Sequence, residues 1–203
     1  MNDILKYIKR VKALAQNGLA YCENPFDIER YEELKDISIL MLNKLTDTPI
    51  EKIEKLFTDD KGYQTPKVDV RAVIINEGKL LLVKEKSDGK WSLPGGWCDI
   101  GYSPSEMAKK EVFEEAGYKV EVEKLIALLD KECHGHPEDI YHIYKLFFQC
   151  KILDGEGHGG TETSEIGFFS KDKLPELSLN RNTRNQIMLM FDLYNTNKET
   201  VFD

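Results

Sequence analysis

Apolar residues in the first sixty positions recur every three or four residues. Ile4, Ile8, Val11 and Ala15 form one such series, and Leu34, Ile37, Met41 and Leu45 another. This is the period of an amphipathic helix. The intervening "ENPFD" breaks the pattern and restarts it. "TPIEKIEKLF" predicts a third helix, with Thr48 and Glu51 able to form a capping box and Pro49 at the first helical position. Three helices of this size have little core of their own, and their apolar faces need a partner surface. The polar stretch "TDDKGYQTPK" (58–67) contains Gly and Pro and reads as the connection to a second domain.

Beyond it the period changes to that of strands. "VDVRAVIIN" and "KLLLVKEK" predict a hairpin turning through Asn76, Glu77 and Gly78. "YKVEVEKLIALLDK" and "IYHIYKLFFQCKIL" are further strand-rich runs, and "EIGFFS" is a short last strand. Two helices interrupt the series. One starts at Ser103; the other starts near Asn180 and carries Ile187, Met188, Phe191 and Tyr194. Strands alternating with helices predict an α/β fold, a mixed sheet flanked by helices. The expected organisation is an all-helical domain over 1–62 and an α/β domain over 66–203. The Gly-rich "DGEGHGGTETSE" (154–165) reads as a mobile loop.

Composition narrows the class without deciding it. With 41% hydrophobic and 32% charged residues among 203, the chain is expected to be an ordinary soluble globular protein. A net charge of −8 gives no global attraction to nucleic acid or anionic membrane. No apolar run is long enough to span a bilayer, and the N-terminus lacks the pattern of a signal peptide. Cys22, Cys98, Cys133 and Cys150 are scattered without a C-x-x-C pair, as expected of reduced thiols in a cytoplasmic protein.

The candidate chemistry lies in "SLPGGWCDIGYSPSEMAKKEVFEEAGYKV". Ser103 and Glu106 form a capping box with Pro104 at the first helical position, and Gly117 sits where a left-handed cap ends a helix. Glu111, Glu114 and Glu115 then share one helical face, opposite Met107, Ala108, Val112 and Ala116. Each like-charge pair costs only roughly 0.2–0.5 kcal/mol on an exposed helix, so a merely solvated acidic face is affordable. The preceding Gly95-Gly96 turn argues for more, because it lets backbone approach the carboxylates closely. Hard oxygen donors grouped without His or Cys suit Mg²⁺ or Mn²⁺, and magnesium favours a few carboxylates plus substrate phosphate oxygens. The residues point to a divalent-metal site for a phosphorylated substrate.

This segment resembles the box of the Nudix hydrolases, G-x5-E-x7-R-E-U-x-E-E-x-G-U with U a bulky apolar residue. Gly96, Glu111, Val112, Glu114, Glu115, Gly117 and Tyr118 are in register with it. Two positions depart: Tyr102 stands where the box has its first Glu, and Lys110 where it has Arg. Lysine keeps the charge but loses the planar fork that pins a carboxylate in two directions. Asp99 could replace the missing carboxylate. The resemblance implies an α/β/α sandwich that hydrolyses a nucleoside diphosphate linked to another group, using Mg²⁺ or Mn²⁺ held by Glu111, Glu114 and Glu115. It implies catalytic roles for Glu114, Glu115 and Lys110, with Glu162 as a candidate general base and Glu165 a weaker one. Gly95, Gly96, Trp97, Asp99 and Tyr102 would meet the substrate.

The helical front end with "LAQNGLAYCENPFDIERYEEL" and the reading "PGGWCD" resemble a two-domain Nudix group of Gram-positive bacteria that includes CDP-choline pyrophosphatases, with ADP-ribose pyrophosphatases nearby. The expected reaction is CDP-choline plus water to CMP plus phosphocholine. Trp97, Tyr102 and Trp91 could supply aromatic faces for the quaternary ammonium, although Trp91 reads equally well as core. His134 and His136 read as plain loop histidines. The front end is expected to form a homodimer. A non-catalytic ligand sensor with a DNA-binding module is the main rival, but residues 1–62 carry 10 basic and 12 acidic side chains and no basic recognition helix. RNA hydrolysis remains chemically adjacent, with nucleic acid as a secondary substrate.

Overall fold

The computed structural model describes residues 3–46 and 62–203. The chain divides into two compact units, Met1–Pro66 with Glu138–Tyr141, and Lys67–Pro137 with His142–Asp203. The third helix expected over "TPIEKIEKLF" lies outside the described residues.

In the first unit, α1 (Asp3–Tyr21) and α2 (Pro25–Thr46) pack side by side. The break falls where "ENPFD" put it: Pro25 is the first helical residue of α2, and the Asn24 side chain accepts the Phe26 N–H at 2.9 Å. Gly18 lets the helices approach, since a Cβ there would lie 2.5 Å from the Tyr31 ring. The buried cluster is Leu5, Ile8, Ile39 and Leu42. This differs from the face expected from the spacing. Ile8 and Ala15 are buried, but Ile4, Val11, Leu34, Ile37 and Met41 are exposed. Both helices carry more apolar residues than one seam can cover, so periodicity could not choose between two adjacent stripes.

The second unit is an α/β/α sandwich. One sheet runs in the order β1 (Lys67–Val73), β6 (Ile143–Asp154), β5 (Lys119–Asp130), β8 (Val201–Phe202). It is mixed: β1 and β8 are parallel to their neighbours, and β5 and β6 are antiparallel. The other sheet centres on β3 (Lys79–Glu85), with β7 (Thr163–Ser170) along one edge and β2 (Ile75–Asn76) and β4 (Trp91–Ser92) along the other. The expected turn through Glu77 and Gly78 joins β2 to β3, both residues having positive φ. Two-residue β4 and β8 are too short to leave a period in the sequence.

Strand residues alternate between two cores. Val70, Ala72, Leu81, Val83 and Cys150 face α3 (Pro104–Ala116) through Met107, Ala108, Val112 and Ala116. Val73, Leu80, Leu82 and Phe147 face α4 (Arg184–Leu193) through Ile187, Met190 and Leu193. Burial on both faces is why these strands read as continuous apolar runs. The α4 helix starts a few residues beyond Asn180, because Thr183 and Gln186 form the capping box that sets its first turn.

Candidate active site

The segment after β4 is held along the free edge of β1. Ala72 N–H donates to Pro94 O, Val70 N–H to Gly96 O, and Cys98 N–H to Val68 O, each at 2.9 Å. Gly95 is obligatory in this strip. Its φ is +142°, and a Cβ there would lie 2.0 Å from Val70 O. The strip delivers its backbone to one face of α3, whose start and stop are as the sequence predicts. Ser103 and Glu106 bond reciprocally, Ser103 N–H reaching Glu106 Oε2 at 2.8 Å, and Gly117 closes the helix at φ 72°.

The three candidate glutamates of α3, Glu111, Glu114 and Glu115, are treated differently by their surroundings. Glu115 is buried, and its Oε2 accepts the Gly95 N–H at 2.8 Å. Burial pushes its carboxyl up to about 8, against the lowering effects of Arg71 and the Gly95 amide. Glu111 is half-buried beside Gly96, its Oε1 3.1 Å from where a Cβ would stand. Burial raises its carboxyl to about 7; Lys110 and Arg71 oppose the rise, while Glu114 and Glu162 add to it. Glu114 is exposed and turned to Lys110, Oε2 to Nζ 2.8 Å.

Among the described residues, no three Asp, Glu, His or Cys side chains converge on one point at metal-ligand distance. The expected triad therefore shares a helix face without sharing a centre, Glu115 taking the Gly95 amide and Glu114 the Lys110 ammonium. The donor set still fits a hard divalent cation. It is oxygen only, and it includes a half-buried and a buried carboxylate, Glu111 and Glu115, whose proton affinity burial raises. Glu111 and Glu115 would hold such an ion, joined by Glu114 once released from Lys110.

The remaining candidates are distributed as follows. Trp97 and Tyr102 are about half exposed, and Lys110 Nζ lies 6.0 Å from the centre of the Tyr102 ring. Asp99 is 4.0 Å from Lys110 Nζ, at the rim of the glutamate face. Glu162 is exposed, and its charge is felt at Glu111. Glu165 lies within β7, paired with Lys84 at 2.8 Å. Trp91 packs edge-on against Phe169 at 4.8 Å beside the α4 core. His134 bonds Asp203 at 2.9 Å and His136 bonds Leu179 O at 2.7 Å, so both histidines have partners that the sequence did not reveal.

The segment expected to be a mobile loop is held against the C-terminal end of α3. Thr163 Oγ1 donates to Glu115 O at 2.6 Å, His158 N–H to Ala116 O at 3.2 Å, and Gly160 N–H to Thr163 Oγ1 at 2.8 Å. A Cβ on Gly160 would lie 1.8 Å from Glu114 O. Its glycines permit this close approach, which carries Glu162 toward the glutamate face.

A family model described as the NUDIX domain matches residues 65–190, and one described as a UDP-X-like N-terminal oligomerisation domain matches residues 2–57. The chain belongs to the Nudix family. A Bacillus subtilis (strain 168) protein, provisionally named an ADP-ribose pyrophosphatase, is 46% identical over 200 residues, 98% of this chain and 96% of its own. A crystal structure described as a UDP-X diphosphatase is 37% identical, covers 99% of this chain and 98% of its own, and superposes with a TM-score of 0.66. An ADP-ribose pyrophosphatase structure from Streptococcus suis 89-1591 is 46% identical over 68% of this chain and all of its own, with a TM-score of 0.63. As a Nudix protein the chain is a pyrophosphohydrolase of nucleoside diphosphates linked to a second group.

One charged cluster behind the Gly95 strip was not anticipated from the motif. Arg71 is buried on β1, its Nε and Nη2 bonding the two oxygens of Asp69 at 2.9 and 2.6 Å, and its Nη1 bonding Leu93 O at 3.1 Å. Lys145 on β6 bonds the same Asp69 at 2.7 Å. Burial pushes the Asp69 carboxyl up, but the two cations outweigh it and bring it to about 2. Burial lowers Lys145 to about 8. The signal was present in "VDVRAV": two opposite charges at i and i+2 in an apolar strand must point to the same side.

Proposed function

We propose that this pyrophosphohydrolase acts on ADP-ribose, releasing AMP and ribose 5-phosphate, with Glu111 and Glu115 as its principal metal-binding carboxylates. The observation that carries the site assignment is the pair of half-buried and buried glutamates set against the Gly95–Gly96 backbone, with Glu114 one turn away. A bound Mg²⁺ or Mn²⁺ would neutralise the diphosphate and make water a better nucleophile. The chain's own groups do the rest. The Gly95 amide orients Glu115, and Lys110 offers an ammonium at the rim. Glu162 is the nearest exposed carboxylate brought in by the glycine loop and is suited to accept the proton of the attacking water. Trp97 and Tyr102 offer exposed rings on which a base or sugar can lie.

The nucleotide preference is supported by kinship: relatives 46% identical in both comparisons carry the ADP-ribose name. CDP-choline is the second reading. It is favoured by Tyr102, whose ring already has one ammonium, Lys110, at 6.0 Å. The front end supports a homodimer. Ile4, Tyr7, Val11 and Leu14 on α1, and Leu34, Ile37, Leu40 and Met41 on α2, are exposed at helical spacing, a stripe that a second copy would cover.

Product analysis by chromatography over ADP-ribose, CDP-choline, a UDP-sugar and a short RNA, with Mg²⁺ or Mn²⁺, tests the reading. AMP from ADP-ribose at the highest kcat/KM, abolished in Glu115→Gln, is the expected result. Preference for CDP-choline would transfer the assignment to the second reading. Full activity in both Glu114→Gln and Glu115→Gln would refute the metal site.

A further inference from the structure

The Nudix box has an arginine where this chain has Lys110, and Lys110 cannot do a fork's work. Its ammonium bonds the exposed Glu114 and not the buried Glu115. The planar cation nearest to Glu115 comes from the sheet instead. We infer that Arg71 is a positioning residue of the active site, fixing the Leu93–Gly95 backbone so that the Gly95 amide meets the Glu115 carboxylate.

The contacts form one chain. Lys145 bonds Asp69 at 2.7 Å, and Asp69 clamps the Arg71 fork through both of its oxygens. The third arm of the guanidinium bonds Leu93 O at 3.1 Å, and two residues on the Gly95 N–H donates to Glu115 at 2.8 Å. There is no slack at the far end, because Gly95 is pressed against the Val70 carbonyl and the Arg71 backbone. The Leu93 N–H is held from the other side by buried Asn182 at 2.9 Å. The strip therefore has a carbonyl, an amide and a glycine all fixed within three residues.

Charge points the same way. Two cations share one carboxylate, and the Arg71 charge acts on Glu115, Glu111 and Glu85. A buried ion cluster is a poor device for stability alone, since well-packed apolar residues of the same volume are often neutral or better. Three charged side chains inside a sheet are better explained by what they hold. In this chain the fork absent at 110 is supplied from β1, reaching Glu115 through backbone and field rather than by direct contact.

The inference rests on Glu115 belonging to the active site, so its test includes a readout that needs neither substrate nor metal. Pro94–Gly95 is the only Pro-Gly pair in the chain. Labelling with ¹³C-carbonyl proline and ¹⁵N-glycine thus gives a single correlated amide signal, that of Gly95. In Arg71→Lys, which keeps the charge and loses the fork, the Gly95 proton is expected to move upfield as its bond to the carboxylate lengthens. Turnover is expected to fall by about 10²-fold in kcat, the cost of a misplacement near 1 Å, with KM for substrate within about twofold. Asp69→Asn, which loosens the clamp and leaves Arg71 in place, should do the same to a smaller extent. An unmoved Gly95 signal overturns the inference whatever happens to kcat, and so does a moved signal with kcat retained. Loss of the native near-ultraviolet dichroism in both variants also overturns it, assigning the cluster to the core. If the Gly95 signal moves in Arg71→Lys while Glu115→Gln proves fully active, the functional reading has failed and the geometric link stands.

Discussion

Removing one proton-binding group should make the metal-free protein more stable, and by an amount that depends on pH. The perturbation is Glu115→Gln, which retains an oxygen for the Gly95 N–H. Glu115 titrates near 4.5 when unfolded and near 8 when folded. A carboxyl raised on folding contributes stability that is fully present below the unfolded pKa and is lost as pH rises through the folded one. Wild type in chelator should therefore lose stability steadily from about pH 5 to about pH 8. Three and a half pK units correspond to roughly 5 kcal/mol over the whole range, of which about 3–4 kcal/mol falls between pH 5 and pH 9. Glu111 adds to the slope with the same sign. The assay is thermal and urea unfolding of both proteins across that range with EDTA. The variant should exceed wild type at pH 8 by about 3 kcal/mol, about 6–12 °C in Tm for a chain of this size, and the two should converge toward pH 5. Parallel curves, or a wild type that gains stability with rising pH, would refute the picture of a buried carboxylate lacking its cation.

Three further outcomes follow from the same geometry. Stabilisation by Mg²⁺, read as the shift in Tm at saturating metal, should grow from pH 6 to pH 8, because cation and proton compete for Glu111 and Glu115; a shift independent of pH would separate the two sites. Gly160→Ala forces a Cβ onto Glu114 O and should cost about 1–3 kcal/mol by urea unfolding, with a loss of kcat as Glu162 is displaced; an unaltered kcat would detach the loop from catalysis. Val11→Asp with Leu14→Asp puts charge into the exposed stripe of α1 and, if the proposed homodimer forms through it, should yield monomer by light scattering; a dimer that persists would move the interface elsewhere.

Much of this was legible one residue at a time. Ser103, Glu106 and Gly117 announce the limits of α3 because capping is local chemistry, satisfied within four residues of chain. The spacing of Glu111, Glu114 and Glu115 places them on one face for the same reason. What that face does was not legible. Glu115 is buried on a backbone amide twenty residues away in sequence, while Glu114 is drawn out to Lys110. Nothing in the spacing distinguishes them. The helical front end failed in a related way: the period of Ile4, Ile8, Val11 and Ala15 was real, but which stripe is buried depends on the neighbour against which it packs.

Periodicity and caps thus determined the element types and the limits of the acidic helix, because each depends on short-range geometry that any stable fold must respect, and the resemblance of the box to the Nudix motif implied the reaction class. Tertiary structure alone decided the raised proton affinity of Glu111 and Glu115, the packing of the glycine loop onto the end of α3, and the entry of Arg71 from β1. Desolvation and charge coupling depend on what the chain brings together from far apart, and Asp69, Lys145, Leu93 and Glu115 meet only once the sheet has formed.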